Sequence, residues 1–183
     1  LFLLGASLFF TSYTPFLKAN DLSYLEIVGL DLFIGVINGL AASRPFGEAS
    51  KRGDPGILVE FLSLRAIAFL FGAVTSLYFT GRPIIYATIL LYLLIGVAYT
   101  NIAIGMSALL YHHLPSGRQG GTLGVYSSFN SLAMFIGSLL SGNISFYMGY
   151  SVTFLLASLA LFGSASLLEW HFKPRRYEEA GPF

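Results

Sequence analysis

Apolar residues come in long runs along this chain, and short polar or Gly/Pro-rich breaks separate the runs. Six runs are long enough to be helices that cross a bilayer, where about 20 residues are needed. They cover about 1–16, 23–42, 56–79, 83–111, 122–141 and 146–170. The first is expected to end near Pro15, with Lys18-Ala19-Asn20-Asp21 as the turn after it. Residues 43–55 and 112–121 form two longer polar loops. Thr80-Gly81-Arg82-Pro83 reads as a tight turn, with Pro83 opening the next helix. Gly142-Asn143 reads as a short break, and 173–183 as a charged cytoplasmic tail.

Composition then fixes the solvent. Hydrophobic residues are 55% of the 183 and charged residues 10%, against about 25% charged in soluble domains. Mean hydropathy is +0.73. One soluble core of this size cannot hide that much apolar surface, so the expected fold class is an all-α integral membrane protein with lipid as its main partner. A net charge of +1 excludes a strong nucleic-acid footprint. The chain has no cysteine, hence neither disulfides nor a thiolate metal site. Leu1 already lies inside an apolar run, which reads as a start within a longer polypeptide.

Charge also sets an orientation. Arg44, Lys51, Arg52, Arg118, Lys173, Arg175 and Arg176 fall on one side of the six-helix pattern, and Lys18 and Arg82 on the other. Seven against two places both chain ends in the cytoplasm, with the cell (plasma) membrane as the expected location.

Helix association in lipid relies on small residues and buried polar groups. In the second helix Asp31, Gly35, Asn38 and Ala42 share a face, and Leu30, Phe33, Ile34 and Ile37 lie away from it. The first face is expected to point into the protein or a wet cavity, and the second toward lipid. The fourth helix offers Gly96, Thr100, Ala103 and Ser107, with Asn101 beside them and Tyr92 and Tyr99 near. The fifth carries Gly124, Ser127, Ser128, Ser131, Ser138, Ser141 and Gly142. Such stripes serve helix packing or line a solute path. Tyr13, Asp31, Asn38, Tyr92, Tyr99, Asn101 and Asn130 are the candidate path residues.

Asp31 lies about 12 Å into its helix at 1.5 Å per residue. A carboxylate there is costly and usually functional, as a proton site, an ion site or a contact for a cation. Arg65 is similarly deep, too deep to snorkel, and Glu60 and the cytoplasmic loop are its nearest candidate partners, with a Glu60–Arg65 structural ion pair expected and Asp31 at a different depth. The aromatic and neutral polar character of the faces suits neutral or cationic organic solutes. Phosphates and dicarboxylates would call for buried basic residues.

The loop Gly47-Glu48-Ala49-Ser50-Lys51-Arg52-Gly53-Asp54 resembles the cytoplasmic signature of the major facilitator superfamily, G-x-L-S-D-R-x-G. Gly47, Ser50 and Arg52 match, Lys51 replaces the usual Asp, and Gly53 comes one place early. Leu114 to Gly124, with Arg118 ahead of a Gly-rich helix start, is similar to that family's loop into its penultimate helix. Ile136-Gly137-Ser138-Leu139-Leu140-Ser141-Gly142 is similar to its I-G-P-L-x-G run, and Tyr13-Thr14-Pro15-Phe16-Leu17 to the outer end of its seventh helix. The resemblance covers the whole chain and is to the carboxy-terminal six-helix half. It implies two inverted three-helix repeats and an amino-terminal six-helix half as partner. It also implies a central cavity lined by the first, second, fourth and fifth helices, with the third and sixth as supports. The function implied is alternating-access transport of a small organic solute, and Asp31 is the residue that offers a site for a coupled proton. A non-transporting membrane scaffold of the same fold is the other reading.

Enzyme chemistry is not expected. Ser7 and Ser107 each follow a Gly-x, but no histidine lies deep in a helix to serve as base. Adjacent His112 and His113 cannot face one ion from one helix, so neither a metal nor any other cofactor is expected. The stretch 117–124 lacks the G-K-[ST] end of a phosphate loop. Asn143-Ile144-Ser145 fits a glycosylation sequon too close to the membrane to carry weight.

Overall fold

The computed structural model describes residues 1–42, 55–113 and 119–179, leaving out the side chains of 112, 113, 119 and 173–179. These residues form six helices: α1 Phe2–Ala19, α2 Tyr24–Ala42, α3 Pro55–Tyr78, α4 Ile84–His113, α5 Gln119–Met148 and α6 Tyr150–Glu179. The all-α membrane class therefore stands. Five helices, α2 to α6, are long and apolar enough to cross a bilayer. α1 is not in that set, because Thr11, Ser12, Tyr13, Thr14, Pro15 and Lys18 make its second half polar. The loop-motif residues Gly47, Ser50, Lys51, Arg52, Gly53 and Arg118 lie outside the described residues.

Several boundaries differ from the sequence expectation. α1 runs through Pro15 to Ala19, and Asn20 closes it by donating from Nδ2 to the Phe16 carbonyl at 2.9 Å. The chain reverses at Asp21, whose φ of 64° is left-handed. Asn20 Oδ1 also accepts the Gly81 N–H at 3.4 Å, so the α1–α2 and α3–α4 turns meet at one end of the bundle. α2 opens with a capping box: Ser23 N–H donates to Glu26 Oε2 at 2.8 Å, and Glu26 N–H to Ser23 Oγ at 3.3 Å.

No break occurs at Gly142-Asn143. Asn143 Nδ2 donates to the Leu139 carbonyl and Ser145 Oγ to that of Gly142, so these polar side chains bond back onto their own helix. The turn comes instead at Gly149, at φ +86°, where only glycine is comfortable. Beyond Phe172 the backbone stays helical to Glu179, so α6 runs on into the charged tail.

α3 and α6 form the most extensive helix pair. α1 packs on α5 and α6, α4 packs on α2 and α3, and slighter contacts join α5 to α6 and α1 to α2. Exchanging α1–α3 for α4–α6 maps the extensive pairs onto one another: α1·α5 becomes α4·α2, α3·α4 becomes α6·α1, and α3·α6 maps to itself. α2 and α5 are the least covered helices.

The larger core cluster centres on Phe9, which is fully buried. Its ring lies 4.0 Å from Phe69, 4.7 Å from Phe154 and 4.8 Å from Tyr13. A second cluster, including Leu58, Leu62, Ala98, Ile102 and Ala165, fills the end opposite those two turns.

The α1·α5 and α2·α4 contacts use the same device. A Cβ added at Gly137 of α5 would stand 2.7 Å from the Leu4 carbonyl oxygen, and one at Gly96 of α4 2.7 Å from Ile37 Cγ2. Ser7 Oγ donates to the Met134 carbonyl and bonds Ser138 Oγ, both at 2.7 Å. Ser12 bonds Ser141, whose hydroxyl donates to the Leu8 carbonyl at 2.6 Å. Across α2·α4, Thr100 Oγ1 donates to the Asn38 carbonyl at 3.2 Å. We expect Gly137→Ala to cost about 1–3 kcal/mol, because backbone and not a flexible side-chain tip must move. Gly124→Ala, into open space, is the control. Denaturant titration in detergent measures both, and equal stabilities for the two variants would refute the close-packing argument.

Candidate functional site

The face expected on α2 is divided within this chain. Ile27 and Leu30 are buried, Phe33, Ile34 and Ile37 are half-buried, and Asp31, Gly35 and Ala42 are exposed. The apolar row meets Leu91, Tyr92 and Ile95 of α4 in one cluster. It fits that surface better than a polar row would, and Asp31 is left on the uncovered side. The small residues of α5 divide likewise: Gly137 and Ser141 are buried against α1, and Ser138 half-buried. Gly124, Ser127, Ser128, Ser131 and Gly142 are exposed.

Three of the predicted path residues come together. Tyr92 OH donates to Asp31 Oδ1 at 3.3 Å. The Tyr92 ring lies 5.6 Å from that of Tyr13, and Tyr13 OH bonds Thr88 Oγ1 at 2.9 Å. Thr88 in turn donates to the Ile84 carbonyl at 2.7 Å. Tyr13 and Tyr92 are buried and Asp31 is exposed, so a buried polar group spanning α1 and α4 ends in a carboxylate on the open side of α2. Thr88 was not predicted. A lone threonine in a helix carries no signal until the Tyr13 hydroxyl is found against it.

The other predicted residues lie apart from this group. Asn38 sits at the α2·α4 contact, where its buried Oδ1 has no hydrogen-bond partner and would lie 3.2 Å from a Cβ at Gly96. Asn101 is buried and donates from Nδ2 to the Val97 carbonyl at 2.8 Å. Asn130 lines a cavity of about 520 Å³ among α1, α3, α4, α5 and α6.

The Glu60–Arg65 ion pair does not form. The two stand five residues apart on α3, about 140° around the helix at 3.6 residues per turn. Glu60 is exposed and Arg65 is 2% exposed. Arg65 is the eleventh of the 24 residues of α3, at mid-helix. Its Nε and Nη1 have no hydrogen-bond partner. Four rings surround it instead, with centroids 5.1 Å (Phe2), 5.6 Å (Phe10), 5.5 Å (Phe69) and 5.0 Å (Tyr99) from Cζ. Each ring face returns about 0.5–2 kcal/mol, while burying an ion costs several kcal/mol and its unmade hydrogen bonds cost more. Tyr99, read as a path residue, is thus a wall of this cage, with 43% of its surface exposed. Phe69, one turn after Arg65, was visible in the spacing. Phe2 and Phe10 reach the cage only through the α1·α3 packing, which periodicity does not specify.

Ser7, as above, bonds into α5, and Ser107 Oγ donates to the Ala103 carbonyl at 2.8 Å. Among the described residues no group of three His, Cys, Asp or Glu side chains could hold a metal. Comparison with family models, characterised proteins and solved structures finds no match to this chain.

Proposed function

We propose that this chain is one six-helix half of a secondary transporter of the major facilitator type, moving a small organic solute by alternating access. Asp31 carries the reading. It is the eighth of 19 residues in an apolar helix, and its carboxyl lies on the face this chain leaves open. A carboxylate in mid-span is not left facing lipid, because the cost is a few kcal/mol. The open face of α2 therefore borders a second protein body or water, and a cavity between two halves supplies both.

The packing pattern supports the same reading. Exchange of α1–α3 with α4–α6 preserves the extensive helix pairs. A repeat with an odd number of spans runs opposite to its copy in the membrane, as in transporters built from inverted repeats. The partner is an amino-terminal six-helix half seated against the uncovered sides of α2 and α5. The basic loops and both ends face the cytoplasm, in the plasma membrane, and a proton is the coupled ion.

Reconstitution in liposomes tests this. Residues 1–183 alone are expected to carry no solute, and flux from a panel of labelled organic acids, amines and sugars is expected once an amino-terminal half is present. Full flux by residues 1–183 alone, or none by the assembled protein across the panel, would reject the reading.

A further inference from the structure

Arg65 is a cation at mid-helix that no carboxylate neutralises among the described residues, and two of its nitrogens are buried without acceptors. An apolar residue of the same volume would serve packing as well or better. The cage is also uneven. Phe69 is a fully buried back wall, Phe2 and Phe10 are half-buried, and Tyr99 is exposed. Phe2 belongs to two structures at once: its ring covers the guanidinium at 5.1 Å, and it lines the 520 Å³ cavity. Leu62, one turn before Arg65 on α3, lines the same cavity. The ring that closes the cage is therefore part of the cavity wall.

The cavity walls are mostly apolar, with Leu62, Met106, Phe129 and Leu167 among them, and Tyr126, Asn130, Ser164 and the His171 imidazole add polar groups. Its volume falls in the range of small-molecule sites. Arg65 is the only buried cation among the described residues. One planar guanidinium matches one carboxylate, and apolar walls match an apolar body.

We propose that Arg65, behind the Phe2 ring, is the charge-recognition residue of a binding site for a monovalent organic carboxylate with an apolar body, held in this cavity. This departs from the neutral or cationic solute that the sequence suggested, because that reading placed Arg65 on a support helix. Binding does not depend on transport. That the carboxylate is also the cargo rests on the transporter reading.

Calorimetric titration of the protein in detergent at pH 7 tests the site, with 3-phenylpropionate and its uncharged amide as probes. The acid is expected to bind at least tenfold more tightly than the amide. Arg65→Met is expected to erase that preference while its melting temperature without ligand stays level or rises. Equal binding of acid and amide, binding of neither, or an acid preference kept by Arg65→Met would overturn the proposal. Should Arg65→Met fail to fold, the acid–amide comparison in the unmodified protein still decides. Acid binding without flux retires the cargo role alone. Flux with equal acid and amide binding retires the site alone.

Discussion

On the transporter reading proposed above, Asp31→Asn is expected to abolish transport driven by a pH gradient and to leave solute counterflow intact. The Asp31 carboxyl accepts the Tyr92 hydroxyl at 3.3 Å, and a charged acceptor makes such a bond stronger than a neutral one does. Protonation weakens it, and with it a polar tie between α2 and α4. Tyr92 packs on Tyr13, so the loosened group reaches α1 as well. A proton taken up at Asp31 would in this way bias the helices that must rearrange between outward and inward states. The asparagine carbonyl still accepts from Tyr92, so the fold is kept, but no proton is exchanged. The measurement is pH-driven uptake beside counterflow in the assembled carrier, with loss of the first and retention of the second. A merely structural Asp31 gives the reverse: less folded protein, with coupling normal in what remains. Normal pH-driven uptake in Asp31→Asn would end the proton-site hypothesis.

The helices were legible because long apolar runs with polar breaks allow little else in lipid. Their ends were less so. Pro15 and Gly142 are breakers by general preference. Yet α1 passes through Pro15 to a cap at Asn20, and α5 passes through Gly142 because Asn143 and Ser145 bond back along it. The faces were legible only as stripes. Leu30 and Asp31 are neighbours in sequence, about 100° apart around the helix, and Leu30 is buried while Asp31 is exposed. Which of the two turns inward depends on the α4 surface that meets them, and periodicity is silent on that. The stripe was expected to face protein or a wet cavity, and within this chain much of it is left uncovered. Asp31 on the open side is consistent with α2 meeting something that this chain does not supply. Arg65 shows the same limit from the other side. Its depth was evident, but the sequence offered Glu60 as the near carboxylate, and only the helical angle removes it.

Phe9→Ala is expected to be the most damaging single truncation in the bundle, at about 2–4 kcal/mol. In water such a change loses transfer energy as well as packing. In a bilayer the ring of the unfolded state rests in lipid, so the transfer part largely drops out and the cavity and lost contacts remain. Those are large here. Phe9 stacks at 4.0 Å on Phe69 of α3, meets Phe154 of α6 at 4.7 Å, and supports Tyr13 at 4.8 Å within α1. It also fills the notch left by Gly72, where a Cβ would stand 2.8 Å from its Cε2. One ring thus joins three helices, and its removal frees Phe69, a wall of the Arg65 cage. Leu132→Ala, on the exposed side of α5, is the control and should change little. Unfolding in mixed micelles measures both. A Phe9→Ala loss no larger than that of Leu132→Ala would mean that α1, α3 and α6 close over the gap, and that the aromatic cluster does not hold the bundle together.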